Sequence, residues 1–341
     1  MSKKVLITGG PGFIGHHLID LLLTKTDWDI VSLDRLDFSG NLNRLHEVAQ
    51  GYPINVQKRL KVVFHDLKAE INPLVSSFIG KPDIILHLAA ASHVDRSITH
   101  PMEFIHDNIV GTAHLLEYAR KLDNLETFLY FGTDEIFGAA PEGVNYSERD
   151  RYNSTNPYSA SKAASEELCV AWENTYRMPM MITHTMNAFG ERQTPEKFIP
   201  LCIDKIDKGE KIFIHSNTER TKAGSRFYIH AADIADAIHF LITTKPYVAP
   251  DFGGARVPKF NIVGKEEVDN LTLAQMIATS QNKELIYEML DFHTSRPGHD
   301  MRYALSGNLM KSLGWEPKIS LTERISQVSK WYLQNDRWLG R

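Results

Sequence analysis

The segment Val5-Leu-Ile-Thr-Gly-Gly-Pro-Gly-Phe-Ile-Gly15 runs a short apolar strand straight into glycines 9, 12 and 15, and then into a helical pattern. Glycines at 9, 12 and 15 permit the tight turn and the close backbone approach that a strand needs to become a helix within so few residues. The free N–H groups of Phe13, Ile14 and the rest of that first turn then face outward, where the helix dipole attracts a pyrophosphate. Asp34, at the end of the next strand, can accept hydrogen bonds from an adenosine ribose. A carboxylate there repels a 2′-phosphate, so NAD is expected over NADP, with Arg35 beside it as the opposing charge. Asp66 and Leu67, after the third strand, are placed to flank the adenine.

The rest of the first half repeats this alternation. Apolar runs Asp29–Leu33, Leu60–Phe64, Asp83–Leu88 and Thr127–Phe131 are separated by helical patterns, two of which cover Ile14–Leu23 and Phe104–Tyr118. A helix over Tyr158–Tyr176 and a strand over Met180–Thr185 follow. The expected fold class is α/β: a Rossmann-type doubly wound parallel sheet with a smaller, interleaved C-terminal lobe. Residues 1–188 are read as the dinucleotide-binding domain, with about 229–262 returning to it. Residues 189–228 and 263–341 are read as the substrate lobe.

Composition narrows the partners. The net charge of -4 offers no general attraction to nucleic acid or anionic membranes. Cys169 and Cys202 are in no metal-ligand spacing, so neither a disulfide framework nor a zinc site is expected, and no metal is assigned. The N-terminus has no signal-peptide pattern and the chain no long apolar span, which points to the cytoplasm.

Tyr158-Ser-Ala-Ser-Lys162 sets a phenol and an ammonium four residues apart, on one face of a helix opened by Asn156-Pro157. The lysine can depress the tyrosine pKa, so that a phenolate takes a hydroxyl proton while hydride leaves the same carbon. Upstream, Gly132-Thr133-Asp134-Glu135 ends a strand. Successive strand residues face opposite ways, so both carboxylates reach one ligand only if the chain turns just after Thr133.

The glycine loop together with the Tyr158–Lys162 motif resembles the extended short-chain dehydrogenase/reductase superfamily. Thr133-Asp-Glu135 resembles the signature of its dTDP-glucose 4,6-dehydratases. That match is joined by Asn108-Ile-Val-Gly-Thr112, Pro195-Glu-Lys-Phe-Ile-Pro200 and Arg296-Pro-Gly-His-Asp-Met-Arg-Tyr303. The resemblance implies bound NAD and a nucleoside diphosphate-hexose substrate, with C4 oxidation, loss of water across C5 and C6, and return of the hydride to C6. It assigns Tyr158 the C4 hydroxyl proton, Glu135 the C5 proton, Asp134 the departing C6 hydroxyl and Thr133 the C4 oxygen. Substrate contacts are implied for Ser92, Asn187, Lys197, Arg226, Asn261, Arg296 and His299, and a homodimer through Phe104–Arg120 and the Tyr158 helix. The chain departs from the pattern at Ala91, often glutamate, and Gly132, often serine. It departs again at Asn187-Ala-Phe-Gly190 and around His215–Arg226, so the base and the sugar C2 substituent stay open. Competing readings are a UDP-sugar 4,6- or 5,6-dehydratase, a 4-epimerase, a decarboxylase, or a non-catalytic NAD-binding regulator. The last would have lost the tyrosine, the lysine or the carboxylates.

Overall fold

A computed structural model describes residues 2–246, 257–291 and 301–341. The apolar runs are strands because they are hydrophobic on both faces, the pattern of a sheet covered by helices on both sides. Val5, Leu6, Ile7, Ile84, Ile85 and Leu86 are all fully buried.

In chain order the first elements are β1 (Lys4–Thr8), α1 (Phe13–Lys25), β2 (Asp29–Asp34), α2 (Leu42–Gln50), α3 (Ile54–Gln57), β3 (Leu60–Phe64), α4 (Pro73–Ile79) and β4 (Ile84–His87). Then come α5 (Val94–Thr99), α6 (Pro101–Phe104), a π-helical stretch Ile105–Val110, α7 (Gly111–Ala119), β5 (Thr127–Thr133), a 3-10 turn Asp134–Phe137, α8 (Pro157–Tyr176) and β6 (Met180–Thr185). The remainder is β7 (Asn187–Phe189), α9 (Phe198–Lys208), β8 (Ile212–Ser216), β9 (Ser225–His230), α10 (Ala231–Thr244), β10 (Lys259–Ile262), β11 (Glu267–Asp269), α11 (Asn270–Ser280), β12 (Tyr287–Asp291), α12 (Asn308–Ser312) and α13 (Leu321–Gln334).

The main sheet has the order β10-β6-β5-β4-β1-β2-β3, and its pairings from β6 to β3 are parallel. Strand order therefore reverses at β1, where doubly wound sheets open a crevice at their carboxyl ends. Thr8, the last residue of β1, stands in register with Leu33 on one side and His87 on the other. Leu6, Val31, Ile85, Leu115, Phe128 and Ile182 share the core on one face of the sheet.

The pattern Phe104–Tyr118, expected as one crossover helix, is broken into α6, the π-helical stretch and α7. Asn108 is the reason visible in the bonding. Its side chain is pinned to Ala91 through N–H at 2.8 Å and carbonyl at 3.1 Å, and its Nδ2 also donates to Ser161 Oγ at 2.8 Å. Its carbonyl accepts from Thr112 and Ser165 hydroxyls. Such π-turns concentrate at functional sites.

Contacts divide the chain into a unit of Met1–Ile136, Tyr152–Thr185 and Ile234–Phe260, and a second of Phe137–Arg151, Met186–Asp233 and Asn261–Arg341. The stretch Phe137–Arg151, read from sequence as part of the 1–188 block, groups with the second unit. That unit holds a β11-β9-β7 sheet and a β12-β8 pair. Ile203, Ile214, Leu273, Ile277, Val328 and Tyr332 fill its core. Among the described residues no helix is long and apolar enough to cross a membrane. Both cysteines are buried free thiols.

Candidate functional site

The glycine loop follows β1 as its spacing requires. Gly9 has φ +77, and a Cβ there would stand 2.8 Å from Ala89 N. A Cβ on Gly12 would stand 2.8 Å from Gly9 O, and one on Gly15 only 2.2 Å from it. The loop is thus a cradle that only glycines can line, with α1 beginning at Phe13 above it. Thr8 and His87 brace it from beneath. The Thr8 hydroxyl accepts from Ala89 N at 3.2 Å and lies 2.7 Å from His87 Nδ1, while His87 Nε2 lies 3.0 Å from the Thr112 hydroxyl. Burial first, then the Lys162 charge, depresses the His87 pKa to about 3, so this imidazole is neutral at physiological pH. Sequence reasoning assigned His87 no role, because its partners come from β1 and α7.

Asp34 ends β2 and accepts from Leu36 N at 2.6 Å. Burial raises its pKa, against the pull of that N–H. Arg35 is committed elsewhere: its guanidinium makes two 2.6 Å bonds to Asp107 and a 2.8 Å bond to Asp37. The cation that could have received a 2′-phosphate is thus neutralised by carboxylates, and Asp34 ends β2 as an acceptor of the kind a ribose hydroxyl requires. The cradle, the helix N-terminus and this carboxylate together fit NAD. Asp66 accepts from Lys68 N at 2.9 Å and lies 3.6 Å from Arg35. Leu67 packs against the same core, and its carbonyl lies 2.8 Å from His114 Nδ1.

The chain turns where the carboxylates require. β5 ends at Thr133, and Asp134–Phe137 is a 3-10 turn. Both carboxylates and the Thr133 hydroxyl reach the Tyr158 environment: burial pushes the phenol pKa up, Glu135 adds to this, the Thr133 hydrogen bond opposes it, and Asp134 adds again. Thr133 Oγ1 donates to Asp134 Oδ1 at 3.1 Å. Tyr158 itself is held by the start of α8, where Asn156 and Ser159 form a capping box around Pro157. Phe104 meets its ring edge-on at 6.3 Å. Ala91 and Val94 complete this apolar wall, and Ser92 is an exposed residue of the loop before α5.

Lys162 departs from the expected arrangement. Its ammonium is bonded not to the phenol but to the Phe131 carbonyl, at 2.7 Å, and lies 4.3 Å above the Tyr130 ring. Burial depresses its own pKa to about 7, against the opposing pull of Cys169 and Glu166. The phenol therefore needs positive charge beyond what the chain here supplies to act as a base near neutral pH.

The remaining expected residues lie in the second unit. Asn187 is exposed at the start of β7, and Lys197 is the N-cap residue of α9. Arg226, on β9, lies 4.7 Å over the Tyr303 ring and donates to the Ser225 and Met301 carbonyls. Asn261 is fully buried, and its Nδ2 donates to the carbonyls of Tyr146 at 3.1 Å and Ser306 at 3.2 Å. This is the bonding of an asparagine that ties chain segments together, which spacing could not reveal. Arg296 and His299 lie outside the described residues.

Known proteins share this framework. The family model described as GDP-mannose 4,6 dehydratase matches residues 6–328. The dTDP-glucose 4,6-dehydratase of Salmonella typhimurium is 34% identical, with 99% of this chain and 94% of that protein covered. The Haemophilus influenzae protein of the same description is also 34% identical, over 97% and 98%. Among solved structures, the Streptomyces venezuelae dTDP-glucose 4,6-dehydratase with NAD bound superposes with TM-score 0.84 at 29% identity, covering 98% of each chain. The Thermus thermophilus UDP-glucose 4-epimerase has TM-score 0.82 at 23% identity, over 97% and 99%, and so shares the fold. The chain belongs to the family described by the GDP-mannose 4,6 dehydratase model, within the extended short-chain dehydrogenase/reductase superfamily.

Proposed function

We propose that this chain is an NAD-dependent 4,6-dehydratase that converts a nucleoside diphosphate-glucose to the 4-keto-6-deoxy sugar, a hydro-lyase reaction. The observation that carries the reading is the 3-10 turn after Thr133: in it Glu135 accepts from Asn156, the cap of the helix that bears Tyr158, and Asp134 accepts from Thr133. Simple oxidation or epimerisation at C4 needs a tyrosine but no such pair. Gly9, Gly12, Phe13, Ile14, Gly15 and Asp34 would hold NAD, which when bound would supply the hydride acceptor and, in its oxidised form, a positive charge.

Tyr158 takes the C4 hydroxyl proton, with Thr133 holding the C4 oxygen and Lys162 contributing its ammonium charge. Oxidation at C4 makes the C5 proton acidic. Glu135 then removes that proton, and Asp134 protonates the departing C6 hydroxyl. Both events belong to one elimination, so an acid and a base must be present together; return of the hydride to C6 and of a proton to C5 would then complete the 4-keto-6-deoxy sugar with no net change in the cofactor. Ser92, Asn187, Lys197 and Arg226 are the residues we assign to the nucleotide sugar, with Arg296 and His299. Guanidinium groups suit the diphosphate. Asn261 supports its surroundings instead.

We take the second unit as the nucleotide-sugar lobe, the enzyme as a cytoplasmic homodimer, and dTDP as the carrier, in line with the relatives at about one third identity. The test is to incubate purified protein with dTDP-glucose and UDP-glucose separately and follow products by mass spectrometry. Loss of one water from the dTDP sugar, without net change in cofactor, is expected. A C4 epimer with no water lost would overturn the dehydratase reading, and dehydration of the UDP sugar alone would overturn the choice of base.

A further inference from the structure

A second charged cluster lies deeper in the same unit, behind the Tyr158–Lys162 face. Glu166 stands on α8 one helical turn beyond Lys162 and two beyond Tyr158. It is fully buried. Its Oε1 lies 2.8 Å from Lys259 Nζ on β10, and its Oε2 lies 3.0 Å from His184 Nε2 on β6. The Tyr152 hydroxyl, from the segment that leads into α8, donates to Oε1. Lys259 also reaches that hydroxyl at 2.5 Å and lies 4.9 Å from the Tyr152 ring. Residues from the lead-in segment, α8, β6 and β10 thus converge on one carboxylate. A cluster so costly to desolvate is ill suited to stability alone, since apolar packing would serve as well.

We propose that Glu166 is a positioning residue for Lys162: clamped by His184 and Lys259, it fixes the setting of α8 and keeps the lysine protonated. This rests on reading Tyr158 and Lys162 as the proton-transfer pair. Burial alone would make Glu166 hard to ionise, but the His184 and Lys259 contacts bring its pKa down to about 2, so the negative charge is present throughout the working range. The other groups facing Lys162 carry no such charge. On its own helix the Cys169 thiol and the Tyr158 phenol are pushed up by burial and stay neutral. The Tyr130 phenol on β5 is likewise raised, and His87 on β4 is neutral. Cys169 and Glu166 both oppose the desolvation of Lys162, and of the two it is Glu166 that bears its charge at neutral pH.

The experiment follows Lys162 directly. Isotope-labelled lysine side chains in the NAD-loaded enzyme are titrated by NMR, with the Lys162 signal assigned by its loss in Lys162→Met. Alongside, the pH profile of reduced-nicotinamide formation in a single turnover is recorded. Glu166→Gln should move the Lys162 midpoint, and the alkaline limb of the rate, down by about one pH unit. Lys259→Met removes a cation while His184 still bonds the carboxylate, so it should move the midpoint up. Glu166→Asp keeps the charge and should hold the midpoint close to wild type. If Glu166→Gln does not fold alone, it is combined with Lys259→Met, and a double variant whose Lys162 midpoint does not lie below that of Lys259→Met overturns the proposal. A uniform drop in rate at every pH with an unmoved Lys162 midpoint makes the cluster purely structural. Wild-type protein that turns over with no movement in the variants defeats only this assignment, whereas wild type that never reduces its nicotinamide defeats the catalytic reading beneath it.

Discussion

Asn156 donates from Nδ2 to Glu135 Oε2 at 3.2 Å while its Oδ1 accepts from Ser159 N at 2.8 Å, so one side chain sets both a carboxylate and the start of the helix that bears Tyr158. Asn156→Ala should cost about 1 kcal/mol of stability through the lost cap, read as a lower urea midpoint. It should also slow proton removal at C5 more than oxidation at C4, because Tyr158 remains while Glu135 loses its donor. Asn156→Asp is the discriminating variant. It keeps the cap, and with it the stability, but sets a like charge beside Glu135. Equal slowing of both steps in single-turnover assays would show that Asn156 acts through the helix alone.

Gly132 stands one residue before Thr133 on β5, and a Cβ there would lie 2.6 Å from the Thr183 carbonyl and 3.1 Å from His184 Cδ2. Backbone oxygen cannot yield as a flexible side chain can. Gly132→Ser should therefore destabilise this protein by about 1–3 kcal/mol. Calorimetry would register it as a lower Tm, and an unchanged Tm would show that β5 and β6 can separate slightly without penalty.

The neutral His87 gives a pH dependence with a definite sign. Its folded pKa is about 3 against an ordinary 6.5, so below pH 6.5 the unfolded chain binds a proton that the folded chain refuses. Stability is lost as pH falls from 6.5 and the loss is complete near 3, reaching about 5 kcal/mol at most. Urea unfolding at a series of pH values should show this slope. In His87→Gln the slope over that window should flatten, and an unaltered slope would assign the acid lability to other groups.

What the sequence disclosed, and what it did not, divides by the range of the interactions. β3 and β6 fall at the residues that their apolar runs mark, and the glycine loop, the capped start of α8 and the turn after Thr133 are legible because each depends on neighbours in the chain. The π-helical stretch was not legible, since Asn108 is held by Ala91 and Ser161. Lys162 shares a helix with Tyr158, yet a carbonyl on β5 decides where its ammonium sits. The resemblance implied a substrate contact for Asn261, but its side chain is bonded to backbone at Tyr146 and Ser306. Glu166, His184 and Lys259 carry no common spacing at all, and only the packing of α8 on β6 and β10 brings them together.

The proposed dimer draws support from apolar side chains left outside the chain's own core. Ile98 is 42% exposed, Met102 58% and Ile105 38%, all at or just before the Phe104–Arg120 segment. Light scattering at micromolar concentration should give twice the mass of one chain. Met102→Glu with Ile105→Lys should reduce it to one, because charges at an apolar contact cannot both be desolvated without partners. A wild-type protein that is strictly monomeric would rule the interface out.

The sharpest division lies between the two halves of the proposed reaction, because different side chains carry them. Tyr158→Phe removes the group that takes the C4 proton, so neither reduced nicotinamide nor dehydrated sugar should form. Glu135→Gln leaves that step intact. It should accumulate reduced nicotinamide and an oxidised hexose that keeps its C6 hydroxyl, since the C5 proton has no acceptor. Asp134→Asn should slow departure of the hydroxyl while C5 exchange with solvent continues, because the base is still present. Loss of one general acid or base costs ~10²–10⁴-fold in rate, well outside assay error. Solvent isotope gives an independent reading: turnover in D2O should place one deuterium at C5, while the hydrogen originally on C4 is recovered at C6. A deuterium at C6 in its place would mean that the hydrogen was exchanged with water, which intramolecular return does not allow. If both carboxylate variants dehydrate at the wild-type rate, Asp134 and Glu135 serve only the turn after β5, and Tyr158 performs an oxidation unconnected with water loss.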